Sequence, residues 1–405
     1  MNIITGILIG ILTLMFLVTA HEFGHFIMAR RNGVRVLEFG ICFPPRMIAW
    51  KRGKDGKWHK LPKSEWGKPQ DSLILSLNWL PIGGFCQMDG ESAADTKKGT
   101  FGKANFWQKT KILFGGVAMN WLISIVILTI LAWTGMPTFL DNQFTITKDT
   151  TISKGTVKIV NILKDSPAEQ AGFQSGDEII KINDLEINNI QDVTTFNSEH
   201  AGEEANFKVL RTEQSCEENC TSEISLVAKL NPKEAEYVLG IEMQSAQSFS
   251  YSTWSAPIVG IGLTAQMTGE TFKGVGELIW NVISGVARQF SPDDNIRAEG
   301  KDALGSATDS VSGPVGIIGV IFPSFASAGI TNLAFLTALI SVSLACMNVL
   351  PIPALDGGRW LLIAIYKLRK KKLTKEREEQ IVSKAFMVLL AVAAIVTVLD
   401  IIRLF

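Results

Sequence analysis

Residues 13–31 read TLMFLVTAHEFGHFIMARR. They close an apolar run that starts at Ile3, yet two of the chain's four histidines and a glutamate stand near its end. About 20 apolar residues in a helix cross a bilayer of about 30 Å, and ionisable groups inside such a span mark function by default. If the helix continues, His21 and His25 are four residues apart and share a face, with Glu22 beside them. H-E-x-x-H therefore offers two imidazoles to one metal ion and a carboxylate as general base. A cleaved signal peptide would carry its basic residues ahead of the apolar core, whereas Arg30 and Arg31 follow it.

The rest of the chain is built to match. It has 405 residues, 47% of them hydrophobic, and a net charge of +0, which gives no support to nucleic-acid binding. Four segments are expected to span: Ile3 to Met28, Ile112 to Thr134, Thr331 to Leu350 and Ala385 to Leu404. Residues 29–109 carry 15 Lys/Arg against 7 Asp/Glu, residues 135–328 carry 13 against 26, and residues 366–384 carry 8 against 3. Basic loops face the cytoplasm, so the first loop and the YKLRKKKLTK segment are expected inside, and the large acidic segment and both termini outside.

Two imidazoles need a third protein ligand to hold catalytic zinc. The stretch NVLPIPALDGGRW, Asn348 to Trp360, carries Asp356 just after the third span. On the charge-derived topology that span ends near the cytoplasmic face, the depth at which His21 and His25 lie. Pro351 and Pro353 break regular helix there, and Gly357 and Gly358 permit unusual backbone. Irregular backbone at membrane depth survives only where it is buried in protein or lines a wet cavity. A bland alternative is that Asp356 merely caps the helix that follows.

With HEFGH at 21–25, LPIGGFCQMDGE at 80–91, SGPVGI at 312–317 and NVLPIPALDGG at 348–358, the chain resembles the site-2 protease family of intramembrane zinc metalloproteases. The resemblance is to the bacterial branch that trims membrane-bound anti-sigma factors and carries a PDZ domain. It implies a polytopic α-helical membrane protein of about four spans, with a membrane-associated β-element and an inserted extracytoplasmic α+β PDZ-like domain. It also implies Zn2+ held by His21, His25 and Asp356, Glu22 as catalytic base, and Asn348 as a polar group holding the substrate backbone. LILSLNWLPIGGFCQM resembles the family's β-element, which is thought to bind substrate as an added strand through Gly83, Gly84 and Phe85. The implied substrates are single-span membrane proteins, and the implied place is the cytoplasmic (inner) membrane with the active site near its cytoplasmic side.

The chain departs from the family pattern in FGICFPPRM at 39–47, in a long basic loop at 50–70, and in the second span. There FGGVAMN has Val117 where proline is usual, with Asn120 retained. His59 in the basic loop and His200 in the acidic segment are expected to lie away from the site.

The expected domains are 1–134 as the N-terminal membrane core, 155–230 as the PDZ-like domain, 250–330 as a connecting segment and 331–405 as the C-terminal membrane core. From Gly155, TVKIVNIL alternates like a strand, and Pro167, Ala168, Ala171, Gly172, Gly176 and Asp177 stand at PDZ spacing. Such a domain would bind peptide ends as added strands. Residues 251–286 are expected as an amphipathic helix at the outer interface, because Glu270, Lys273 and Glu277 fall mid-segment. In SCEENC, Cys216 and Cys220 could form a local disulfide outside the cell. Two other functions stay open: a membrane-anchored quality-control zinc protease, and a non-catalytic PDZ scaffold.

Overall fold

The computed structural model describes residues 3–404, apart from positions 54, 67, 69–71, 93–96, 141, 154–156, 188–189, 214–219, 234, 236, 246–248 and 310. Cys216 lies outside the described residues, and the side chain of Cys220 is likewise not described. The chain forms two compact units, Met1–Leu131 with Ala256–Phe405, and Ala132–Ser255.

Among the described residues of the first unit and its borders, four helices are long and apolar enough to cross a membrane: Ile3–Arg31, Phe106–Thr134, Ile330–Val349 and Lys375–Arg403. The first two are labelled α1 and α2. Each expected span is present, but two helices start earlier than the apolar segments do. At α2, Asn105 Oδ1 accepts from the Gln108 N–H (2.9 Å) while Gln108 Oε1 accepts from the Asn105 N–H (2.8 Å). This reciprocal cap satisfies backbone donors of the first turn and lets the helix run past the hydrocarbon-like portion. Thr374 plays a similar part for the C-terminal helix. Large apolar side chains, among them Leu8, Phe16, Phe386 and Ile395, stay exposed along the first and last helices. So much open apolar surface is a membrane-facing feature.

Helix α1 turns its glycines toward its neighbours. A Cβ at Gly6 would meet Pro323 at 2.5 Å, one at Gly10 would meet the Phe322 ring at 2.9 Å, and one at Gly24 would meet the Gly115 carbonyl oxygen at 2.2 Å. Small residues let helices approach closely where no hydrophobic effect drives them together. Here they seat the broken helical segment 314–327 against the first half of α1, and α2 against the second.

Between α1 and α2 runs an antiparallel sheet of β1 (Val36–Arg52), β2 (Trp58–Lys60) and β3 (Ile74–Met88). Both long strands bend. Residues 38–41 of β1 pair on one side with 74–77 and on the other with 84–87 of β3. The 84–88 arm thus has one strand neighbour among the described residues and lies at the sheet's outer edge. Glu38, almost fully buried, is bridged by the Arg46 guanidinium inside this element. Apolar side chains from the end of α1, β1, β3 and the start of α2, including Ala29, Val36, Cys86, Met88, Phe101, Ile112 and Leu113, form one core with Ile363.

After residue 255 a single helix runs Ala256–Gln289, its buried residues Val259, Gly260, Leu263, Thr264 and Met267 lying on one face of the first half. Gly260 meets Thr129 of α2 closely. The segment 314–327 contains a π turn at Ile317–Ile321, and its amide groups at Gly313 and Gly316 donate to the buried Asp400 carboxylate (3.0 and 2.8 Å).

The second unit holds a sheet in the order 220–229, 204–213, 178–182, 157–162, 241–245, with helices Pro167–Ala171 and Ile190–Glu199. Its core gathers Val157, Ile159, Ile179, Ile182, Val193, Phe207 and Val209. The wholly buried Asp177 receives two 2.7 Å bonds from Arg211. This unit reaches beyond 155–230 at both ends, because strand 241–245 pairs with 157–162 and Asp149 is bound to Thr253 and Ser255. Partial burial works against the Asp149 charge, but hydrogen bonds from Ser255 and Thr253 outweigh it and hold the carboxyl at about 2.

Candidate metal centre

His21 and His25 lie one turn apart on α1, both nearly buried, with their rings 82° apart. The third helix ends at Val349, and Leu350–Leu355 fold back through short turns (Ile352 N–H to Leu350 O, 2.8 Å; Leu355 N–H to Ile352 O, 2.8 Å). A new helix, Asp356–Leu368, then begins at the aspartate itself. The two glycines after it are sterically required. A Cβ at Gly357 would lie 2.0 Å from the Val349 oxygen, and one at Gly358 would lie 2.0 Å from the Ile352 carbonyl.

This fold-back brings the Asp356 carboxylate to both imidazoles. Asp356 Oδ2 is 3.1 Å from His21 Nε2 and 3.3 Å from His25 Nε2, and the two Nε2 atoms are 3.1 Å apart. Asp356 occupies the first turn of its helix, not the capping position, which belongs to Leu355.

The donor set fits zinc. Ligand bonds of about 2.0–2.2 Å in a tetrahedron put neighbouring donors about 3.4 Å apart, and the observed triangle needs to open only slightly. His25 Nδ1 donates to the Ile112 carbonyl oxygen (2.8 Å), which leaves its Nε2 lone pair free for an ion. Room for the ion comes from Gly116 of α2, where a Cβ would lie 2.6 Å from the Nε2 atoms of both histidines. Ligand-type atoms of His21, Glu22 and His25 all fall within 4.8 Å of one another. Glu22 lines the same cavity as Cys86, on the outer edge of β3.

These groups line a cavity of about 270 Å³ with Cys86, Met88, Glu91, Asn348 and Arg359. Asn348 uses one amide N–H on the Leu344 carbonyl oxygen (3.0 Å); its other N–H and its oxygen remain available to a peptide. A second cavity, of about 560 Å³, shares Glu91, Asp356 and Arg359 and extends to Ser92, Lys375 and Glu378. Between them the Arg359 guanidinium bonds the Glu91 carbonyl oxygen and the buried Glu378 (3.3 Å), which also accepts from Ser92 (3.0 Å).

Of the substrate residues expected on β3, Gly83 (φ 76°) lines a separate apolar cavity of about 520 Å³ with Leu14, Val18, Phe43 and Ile318. Gly84 sits between Gly40 and Thr19, and the Phe85 ring covers Gly40. His59 is exposed and paired with Asp55 (2.9 Å), and His200 stacks on Phe196, so neither joins the cavity. Sequence reasoning gave no part to Gly116, Arg359 or Glu378. Asn120 was noted only as retained, yet its side chain reaches His21.

The model of peptidase family M50 matches residues 9–393 of the chain. A candidate zinc metalloprotease of Clostridium acetobutylicum is 26% identical over 400 residues, covering 98% of this chain and 97% of the relative. The zinc metalloprotease RasP of Shouchella clausii is 24% identical (96% and 97% covered), and that of Oceanobacillus iheyensis 25% (99% and 100%).

Proposed function

The chain belongs to peptidase family M50 and is a zinc metalloprotease integral to the membrane, and we propose that it cuts single-span membrane proteins at a peptide bond in or near their transmembrane segment. The observation that carries this reading is the meeting of His21, His25 and Asp356 beside Glu22 in a cavity that α1 and α2, both long enough to span a membrane, line together with β3 and the segment before Asp356. His21, His25 and Asp356 would hold the zinc ion. When bound, zinc supplies Lewis acidity that polarises the scissile carbonyl and makes water a stronger acid.

The Glu22 carboxylate takes a proton from the attacking water and passes it to the leaving amide nitrogen, as the C–O bond forms and the C–N bond breaks. Asn348 offers its spare N–H and its oxygen to the substrate backbone. A helical substrate must first unwind, which strips backbone groups of partners that hydrocarbon cannot replace. The outer edge at 84–88 supplies replacements as a strand-to-strand contact, and Cys86 and Met88 set that edge against the metal donors.

Charge distribution supports a cytoplasmic face for residues 29–109 and 366–384, in the inner membrane, and an external position for the acidic unit. That unit works as a PDZ-like filter on the external part of the substrate, its outer strands 220–229 and 241–245 each having one strand neighbour among the described residues and so suiting strand addition by a peptide end.

The test uses purified full-length protein in detergent and a single-span substrate. Glu22→Gln retains stoichiometric zinc and loses cleavage by about 10² to 10⁴-fold, whereas Asp356→Asn loses zinc. Equal turnover by Glu22→Gln and the parent refutes the assignment.

A further inference from the structure

The two imidazoles of the centre are held in different ways. His25 is fixed by a main-chain carbonyl, and His21 presents its Nδ1 to a side chain, Asn120 of α2, whose Nδ2 is 3.4 Å away. Asn120 is fully buried. Its Oδ1 has no hydrogen-bond partner among the described residues. Its main-chain oxygen is separately anchored by Ser341 Oγ of the third spanning helix, at 2.8 Å. It lies one turn beyond Gly116, so the same face of α2 that clears space at the Nε2 atoms carries an amide to the far side of the His21 ring.

An imidazole that gives its Nε2 lone pair to a metal keeps its proton on Nδ1 and must donate from there. The amide nitrogen of Asn120 cannot accept that proton, but the partnerless oxygen can. A half-turn about the Cβ–Cγ bond exchanges the two ends without moving any other atom. We propose that Asn120 is the positioning residue of the metal centre, its Oδ1 accepting from His21 Nδ1–H and so fixing both the tautomer and the ring plane that aim Nε2 at the ion. The assignment rests on the reading that His21, His25 and Asp356 hold zinc. It makes the α2 asparagine the counterpart of the Ile112 carbonyl at His25, so that one helix orients both imidazoles.

The experiment measures Zn2+ affinity of the full-length protein in detergent by competition with a chromophoric chelator, and the absorption spectrum of the Co2+ form. Asn120→Leu, close in volume but unable to accept, is expected to bind Zn2+ about 10 to 100-fold more weakly and to alter the Co2+ bands. Asn120→Asp, which restores an acceptor, stays within a few-fold of the parent. Zn2+ bound by Asn120→Leu as tightly as by the parent overturns the proposal, and so does an equal fall in the Leu and Asp variants. Thermal melting checks that the helices remain packed, and Asn120→Ala replaces the Leu variant under the same criteria if Leu does not fold. His21→Ala and Asp356→Asn serve as references. Retained zinc in those variants refutes the metal-centre reading itself, whereas zinc lost there and kept in Asn120→Leu refutes only the role of Asn120.

Discussion

His25 Nδ1 lies 2.8 Å from the carbonyl oxygen of Ile112, so an imidazole of α1 is oriented by the backbone of α2. The site is therefore a property of the contact between two helices, and it is most sensitive to changes where they touch.

Gly116→Ala tests that contact. In a helix interior alanine is favoured over glycine by about 1 kcal/mol, so secondary structure is not harmed. The added Cβ, however, would stand 2.6 Å from the Nε2 atoms of His21 and His25. Zinc retention after chelator treatment should fall by at least about tenfold, with proteolysis falling in parallel. Gly269→Ala, at a glycine with open space around it, should leave both unchanged. Metal analysis of the two purified variants decides the matter.

Arg359→Leu tests the link between the helix that begins at Asp356 and the C-terminal helix. Glu378 is almost fully buried, and Arg359 is about a quarter exposed. Removing one member of a buried pair costs roughly 3–5 kcal/mol, and solvent access at Arg359 reduces this to about 2–3 kcal/mol. Thermal unfolding of the zinc-loaded protein should register the loss, and Arg359→Lys should recover part of it. A melting temperature unchanged in Arg359→Leu would show that the bridge contributes nothing.

Asp149 gives a pH prediction within the second unit. Its carboxyl is held at about 2, below the ordinary value of about 3.9 for an unfolded chain. A depressed folded-state value stabilises above the unfolded value, and the gain is lost as pH falls toward the folded one. Hydrogen-exchange protection of the Thr253 and Ser255 amides, corrected for intrinsic rates, should therefore be lower in Asp149→Asn than in the parent at pH 6. The difference should shrink between pH 4 and pH 2. A difference that does not change with pH would assign the effect to shape and not to charge.

Much of this was legible in the residues. The i, i+4 spacing of His21 and His25 put both imidazoles on one face of an apolar helix, and the charge of the flanking loops pointed to Asp356 as the group to meet them, a meeting found at 3.1 and 3.3 Å. The LILSL run did become a bent strand, because Pro81, Gly83 and Gly84 interrupt it at its middle. The two helices that start ahead of their apolar segments do so because Asn105, Gln108 and Thr374 cap them there, and hydropathy registers only the apolar part. The roles of Gly116 and Asn120 were illegible for a different reason. They depend on which face of α2 meets α1, and that is set by the Gly24–Gly115 approach, a tertiary fact with no periodic signature in a helix that is apolar all round.

Asp356 follows His21 by 335 positions. During synthesis at about 5–20 residues per second, roughly 20–70 seconds separate the emergence of the first donor from that of the last. His21 and His25 are thus made well before the carboxylate that meets them, and the three-donor set cannot assemble until Asp356 has emerged.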